Sequence, residues 1–221
     1  MRAGLFGGTF NPIHNGHLMV AGEALRRCNL DRLYIIPCRV PPHKFPDYLA
    51  PSPARVRMIE MALPADNRYC LSQLEIQRDG PSYTIDTVTQ FRTAIVPEAQ
   101  LLLILGMDAF LEIHTWKHQR HLLKVVQPVV VTRRAEHRKT AGDELDQLND
   151  YIRSQLSPAY RLTTPRTAWQ DDNGNLIHLL PISPVDISST QVRARVRSGR
   201  GIADLVPPGV NTYIEQEGLY R

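Results

Sequence analysis

Cysteine is scarce in this chain and falls in no ligating pattern. The three residues, Cys28, Cys38 and Cys70, are odd in number and include no Cys-x-x-Cys pair. That argues against a disulfide framework or a zinc site and for a reducing compartment. Long apolar runs are missing too. The longest, at 101–105, is far too short to span a bilayer, and glycines interrupt the apolar start of the chain before it resembles a secretory signal. A cytoplasmic location and no membrane partner are therefore expected. Charge of one sign is not in excess: 26 Lys and Arg against 22 Asp and Glu leave +4, a bias that suits small anionic ligands such as nucleotides. The densest basic cluster, Arg133, Arg134, His137, Arg138 and Lys139, is small and reads as a solvated helix face, so no nucleic-acid partner is expected. Repeats, low-complexity tracts and linkers are absent.

What is there is enough apolar material, 43% of 221 residues, for one large core. Short apolar runs alternate with helix-period segments, the pattern of a parallel sheet covered by helices. Strands are expected at 3–6, 33–36, 69–76, 101–105 and 125–132. The run at 101–105 has no polar residue, as at the centre of a sheet buried on both faces. Helical stripes run through Leu18, Ala21, Leu25 and Cys28, through Val56, Ile59 and Leu63, through Ile85, Val88 and Ile95, and through Leu145, Leu148, Ile152 and Leu156. Asn173-Gly174 signals a hairpin between 167–169 and 176–180. Closing helices are expected at 188–197 and 210–216. The reading is an α/β fold: one doubly wound, Rossmann-like parallel sheet with helices on both faces, a single domain over 1–221, and a short C-terminal helical part. The segment 133–169 has no assigned role. Ligands of such sheets sit at the carboxyl ends of the strands.

Two constellations carry chemistry. Phe6-Gly7-Gly8-Thr9-Phe10-Asn11-Pro12-Ile13-His14-Asn15-Gly16-His17 follows the first strand and opens the first helix. Gly7 and Gly8 clear side chains where a backbone approaches a ligand. The helix start offers unpaired N–H groups and a positive dipole end to phosphate, and His14 and His17, three apart, share a face. Gly16 between them leaves room for a base or ribose. A Gly-Gly turn alone means little, and two histidines without a third ligand do not make a zinc site. Near the other end, Ile187-Ser188-Ser189-Thr190-Gln191-Val192-Arg193 places hydroxyls and N–H groups at a helix start one turn from a guanidinium, a cradle for phosphate oxygens. Taken alone, it is an ordinary Ser/Thr cap.

Together the two segments resemble the nucleotidyltransferase superfamily that carries His-x-Gly-His near its N-terminus and Ile-Ser-x-Thr-x-x-Arg near its C-terminus. Three further segments resemble one branch, the bacterial nicotinate-nucleotide adenylyltransferase family: Pro41-Pro42-His43-Lys44, Ser82-Tyr83-Thr84, and Gly106-Met107-Asp108 with Thr115-Trp116. The resemblance implies adenylyl transfer from ATP to nicotinate mononucleotide, giving deamido-NAD and pyrophosphate. It implies catalytic roles for His14, His17 and Arg193. Gly7, Gly8, Thr9, Phe10, Lys44, Ser188 and Thr190 are implied to meet ATP or phosphate. Tyr83 and Thr84 are implied to meet the nicotinate carboxylate, Trp116 the pyridine ring, and Gly106 and Asp108 ribose. Magnesium is implied as a companion of the triphosphate, held by its oxygens and water, with no protein metal ligand. Two positions depart from the family: Asn11 stands where many relatives carry Asp, keeping a hydrogen bond without the charge, and some relatives have Asn near Cys38 or Arg39. Three other readings stay open: transfer to nicotinamide mononucleotide or phosphopantetheine, a nucleotide sensor without turnover, and a nucleic-acid binder. Oligomeric state is not legible; a homo-oligomer is compatible.

Overall fold

The computed structural model describes residues 1–40, 48–133, 141–165, 167–183 and 186–221. Lys44 and, within the basic cluster, Arg134, His137, Arg138 and Lys139 lie outside the described residues.

Alternating apolar side chains make β1 (Arg2–Gly8) a strand buried on both faces: Ala3 and Leu5 enter one core and Phe6 the other. The chain then forms α1 (Asn15–Arg27), β2 (Arg32–Pro37), α2 (Ser52–Ala62) and β3 (Tyr69–Leu71), followed by the one-turn α3 (Leu74–Gln77) and by α4 (Thr84–Gln90). A π-helical turn over Phe91–Ile95 extends α4. The second half runs β4 (Gln100–Gly106), α5 (Met107–Phe110), α6 (Gln119–Val125), β5 (Gln127–Arg133), α7 (Ala141–Tyr151), β6 (Arg161–Leu162), β7 (Ala168–Gln170), β8 (Leu176–Ile182), α8 (Ser189–Arg197) and α9 (Pro208–Gln216).

These strands form one sheet in the order β3-β2-β1-β4-β5-β8-β7-β6. Pairing is parallel from β3 to β8 and antiparallel through β7 and β6. Helices cover both faces. One core packs Val20 and Ala24 of α1, Met58 and Ile59 of α2, Val192 of α8 and Ile214 of α9 against the sheet. The other packs Val88 of α4, Leu122 of α6 and Leu148 of α7. Because the winding reverses between β1 and β4, the loops leaving their carboxyl ends diverge and open a crevice there.

The expected strand at 69–76 is shorter than its apolar content suggested. Pairing with β2 stops at Leu71, with one further bond from the Ser72 N–H to the Ile35 carbonyl. Pro37 ends β2 and has no N–H to continue the ladder, so the chain turns into α3. The strand expected at 125–132 starts later, at Gln127, because Val125 closes α6. The Asn173-Gly174 hairpin is present between β7 and β8, with Gly174 at φ +81°.

Candidate active site

The turn leaving β1 is shaped by close packing. A Cβ on Gly8 would lie 3.1 Å from the Phe10 ring. Phe10 itself adopts φ +46°, a left-handed conformation that non-glycine residues rarely hold without support. Support comes from Phe6 and His17, whose rings lie 5.6 and 5.0 Å away. The Phe10 ring is thus buried in the core, against the glycine-rich turn.

His14 is the N-cap of α1, and the two histidines cap each other. The His17 N–H donates to His14 Nδ1 and the His14 N–H donates to His17 Nδ1, both at 3.3 Å. This is the reciprocal logic of a capping box, with imidazoles in place of hydroxyl and carboxylate. The rings stack, with centroids 3.6 Å apart and planes 24° off parallel. A neutral imidazole that accepts at Nδ1 carries its proton at Nε2, so the hydrogen bonds assign both rings as Nε2–H donors. Gly16 has a packing role inside the fold. A Cβ there would meet the His14 ring at 3.1 Å and the Ile187 carbonyl at 3.4 Å; its absence lets the C-terminal segment approach.

That segment is stitched to the N-terminal loop. Ser189 Oγ donates to the Pro12 carbonyl at 2.9 Å, and Arg193 Nη1 donates to the Asn11 carbonyl at 2.8 Å. Arg193 Nη2 donates to Thr190 Oγ1 at 3.2 Å, and Ser188 Oγ accepts the Gln191 N–H at 3.1 Å. Ser188 is thus the cap of α8, as its residue type allows, and its own proton is left to donate elsewhere. The Asn15 N–H donates to the Leu205 carbonyl at 2.9 Å. His14, His17, Ser188, Thr190 and Arg193, far apart in sequence, come to one end of the sheet.

Two residues with no assigned catalytic or ligand-binding role hold this end together. Asn11, 2% exposed, accepts from Tyr220 Oη at 2.9 Å and from the Ala50 N–H at 3.0 Å, and donates to the Tyr48 carbonyl at 2.7 Å. An aspartate could not make the last bond while ionised, which accounts for the amide in this chain. Burial pushes the Tyr220 hydroxyl upward, keeping it a donor. Arg55 is fully buried and donates to the carbonyls of Thr9 (2.8 Å), Cys38 (2.7 Å) and Ala50 (3.1 Å), and to Ser52 Oγ (3.0 Å). Burial lowers its pKa. Its planar fork fits several carbonyls at once, fixing the glycine-rich turn relative to the end of β2. The only sequence signal was an arginine on the same helical stripe as Met58, Ile59 and Ala62.

Beside this end, at the carboxyl ends of β1 and β4, lies a cavity of about 250 Å³. Gly7, Gly8, Thr9, Tyr83, Thr84, Asp108 and Trp116 line it, as do Glu75, Ser82, Glu112 and Lys117. Gly106 is exposed at the start of α5, one residue from the lining segment. Glu75, 7% exposed, accepts from Thr87 Oγ1 at 2.6 Å and from Ser82, and burial raises its pKa. Ser82 Oγ accepts the Arg39 N–H at 3.1 Å, so the carboxylate ties the end of β2 to the Tyr83-Thr84 wall. Cys38 borders the cavity, but burial raises its thiol pKa, the opposite of what an activated nucleophile needs. Among the described residues no group of three or more His, Cys, Asp or Glu is placed to hold a metal ion. No described helix is long and apolar enough to cross a membrane.

Comparison with known proteins agrees with this geometry. A family model described as Cytidylyltransferase-like matches residues 5–195. The chain is 37% identical to the "Probable nicotinate-nucleotide adenylyltransferase" of Desulfatibacillum aliphaticivorans, with 100% of both chains covered. It is 38% identical to the protein of the same description from Pelobacter propionicus, covering 100% of this chain and 98% of that one. Among solved structures, the nicotinic acid mononucleotide adenylyltransferase of Plasmodium falciparum complexed with NaAD shares the fold, with a TM-score of 0.71 at 19% identity, covering 99% of this chain and 97% of that one. The glycine-rich turn, the paired helix starts and the full-length likeness to these relatives agree: the chain belongs to the nicotinate-nucleotide adenylyltransferase family of cytidylyltransferase-like nucleotidyltransferases.

Proposed function

We propose that the chain transfers the adenylyl group of ATP to the 5′-phosphate of nicotinate mononucleotide, giving deamido-NAD and pyrophosphate. One observation carries the reading: the helix starts at Asn15 and Ser189 are bound together at the same end of the sheet as the β1/β4 crevice. A polyphosphate and a mononucleotide therefore have adjoining places.

An oxygen of the mononucleotide phosphate attacks the α-phosphorus in line. The bond from that phosphorus to the α,β-bridging oxygen breaks, and pyrophosphate leaves with the electron pair. The attacking phosphate is already ionised near neutral pH, so neither a protein nucleophile nor a base is required. The protein aligns two anions and stabilises charge on the transferring group. The Nε2–H groups of His14 and His17 donate to the α- and β-phosphates. Thr9 and the bare turn at Gly7, Gly8 and Phe10 let the triphosphate approach the backbone. Ser188, Thr190 and Arg193 hold the departing pyrophosphate. Lys44 is assigned to phosphate on sequence alone. Across the crevice Trp116 stacks on the pyridine, Tyr83 and Thr84 face its carboxylate, and Gly106 and Asp108 meet ribose. Magnesium is assigned to the substrate, carried on triphosphate oxygens and water.

The test is pyrophosphate release from ATP and magnesium with nicotinate mononucleotide, nicotinamide mononucleotide or phosphopantetheine as acceptor. Release should be fastest with the nicotinate form and absent with phosphopantetheine. Preference for phosphopantetheine, or ATP binding with no release for any acceptor, would overturn the reading.

A further inference from the structure

Of the described Lys, Arg, Asp and Glu residues, only Arg55 and Glu75 are buried. A charge in the interior needs partners. Arg55 has them, but every one is neutral. Its donors go to the carbonyls of Thr9, Cys38 and Ala50, to Ser52 Oγ and, at 3.5 Å, to the Arg39 carbonyl. Among the described residues no ion pair joins it to an acid. The ionisable groups that act on its charge are Cys38 and Tyr220. Burial raises both, so thiol and phenol keep their protons near neutral pH and supply no negative charge. Tyr220 feels Arg193 as well as Arg55, so its hydroxyl sits in the field of two guanidinium groups. Glu75 is bonded to Thr87 and Ser82 instead, and burial disfavours its ionised form. Arg55 is also the fourth residue of α2, near the end where the helix dipole disfavours a cation.

We propose that Arg55 is a further positioning residue of the reaction, a buried positive charge behind the glycine-rich turn for which the ATP polyphosphate is the counter-ion. This inference rests on the polyphosphate site proposed above. The position fits the task. Arg55 Nη1 donates both to the Thr9 carbonyl at 2.8 Å and to the Cys38 carbonyl at 2.7 Å, and Thr9 and Cys38 both line the crevice. The guanidinium therefore lies behind the cavity wall, one layer of backbone away. Water and salt screen a charge in that place far less than one on the surface. An anion that reaches the Gly7-Gly8-Thr9 turn meets this field. A neutral nucleoside does not. The fork holds the turn in shape, and the charge draws the phosphates to it.

The two contributions separate by substitution. Arg55→Lys loses the fork and keeps the charge; Arg55→Met and Arg55→Gln lose both. Using two neutral variants keeps the comparison independent of how well either one folds, and unfolding curves identify the temperature at which each is native. Calorimetry on the full chain then measures binding of ATP and of adenosine. Arg55→Met and Arg55→Gln should bind ATP about tenfold more weakly than Arg55→Lys, the size of effect expected of one unit charge acting on a polyanion through a few ångströms of protein. Adenosine should bind all three variants alike. Equal loss of ATP affinity in the Lys and the neutral variants would overturn the counter-ion role and leave only the fork. A difference of the same size for adenosine would overturn it too, since no anion is then involved. Binding is read without an acceptor. A wild type that binds ATP yet turns over no mononucleotide therefore contradicts the acceptor assignment and not the role of Arg55, whereas one that fails to bind ATP contradicts both.

Discussion

The hydrogen bonds that close the end proposed to hold phosphate join residues from opposite ends of the chain: Ser189 to Pro12, Arg193 to Asn11, Tyr220 to Asn11. Those along the wall proposed to meet the pyridine are more local, linking Glu75, Arg78, Ser82 and Thr87, with Arg39 the most distant partner. The first region relies on backbone carbonyls and buried donors, the second on side chains carried by short helical turns. The difference matches what each must do. A triphosphate presents similar oxygens in every substrate complex, so fixed backbone geometry recognises it. On the proposed reading the acceptor is distinguished by one substituent, which side chains on those turns are placed to meet.

Breaking the phosphate end should have the largest effect. His17→Ala removes one prealigned donor, which is worth ~2.7–4 kcal/mol of transition-state stabilisation, about a hundredfold to a thousandfold in turnover. The same change leaves the His14 N–H without its acceptor, so the melting temperature should fall slightly, by the loss of a helix cap worth about 1 kcal/mol. Kinetics and thermal melting on one preparation separate the two. Next is Arg55→Met, which strands the carbonyls of Thr9, Cys38 and Ala50 in the interior. Chemical unfolding should show a loss of about 3 kcal/mol or more. Arg55→Lys should recover little, because a single ammonium cannot replace the fork. Ser189→Ala deletes one bond between the chain's two ends and should cost about 1 kcal/mol in the same assay, with a smaller loss of turnover than His17→Ala.

The smallest effect sharpens the comparison from the other side. Burial makes the folded chain hold the Glu75 proton more tightly than the unfolded chain does. Stability is therefore lost as pH rises from the ordinary carboxylate range through the raised folded value. Glu75→Gln lacks that loss. The melting temperature of the variant relative to wild type should shift upward as pH is raised from about 4 to 7, while the Tyr83-Thr84 wall loses part of its anchor and KM for the mononucleotide rises. A pH-independent difference in melting temperature would show that Glu75 carries no such penalty.

The phosphate end was largely legible in the sequence because contiguous strings encode it. Phe6 to His17 and Ile187 to Arg193 each bring their chemistry on one turn of helix and the residues before it. The central strand was legible because 101–105 is apolar on every residue, and the hairpin because Asn173-Gly174 accepts its turn. What escaped depends on neighbours distant in sequence. Arg55 reads as a charge misplaced on an apolar stripe until three carbonyls surround it. The packing role of Gly16 shows only when the fold brings Ile187 beside it. The shortness of β3 follows from Pro37 in its partner strand, and the role of Asn11 from Tyr48, Ala50 and Tyr220. Lys117 carried no signal, because only the fold brings it to the Tyr83 ring.

The claim underlying the whole account is that the imidazoles of the early loop and the guanidinium near the chain's end grip one polyphosphate. A double-mutant cycle on turnover, with His17→Ala, Arg193→Gln and the combined variant, measures it most directly. If both groups act on the same triphosphate, the combined loss should fall short of the product of the single losses by about fivefold or more, a coupling of ~1 kcal/mol. Single losses that simply multiply would mean that the two groups act independently, and would contradict a shared pocket.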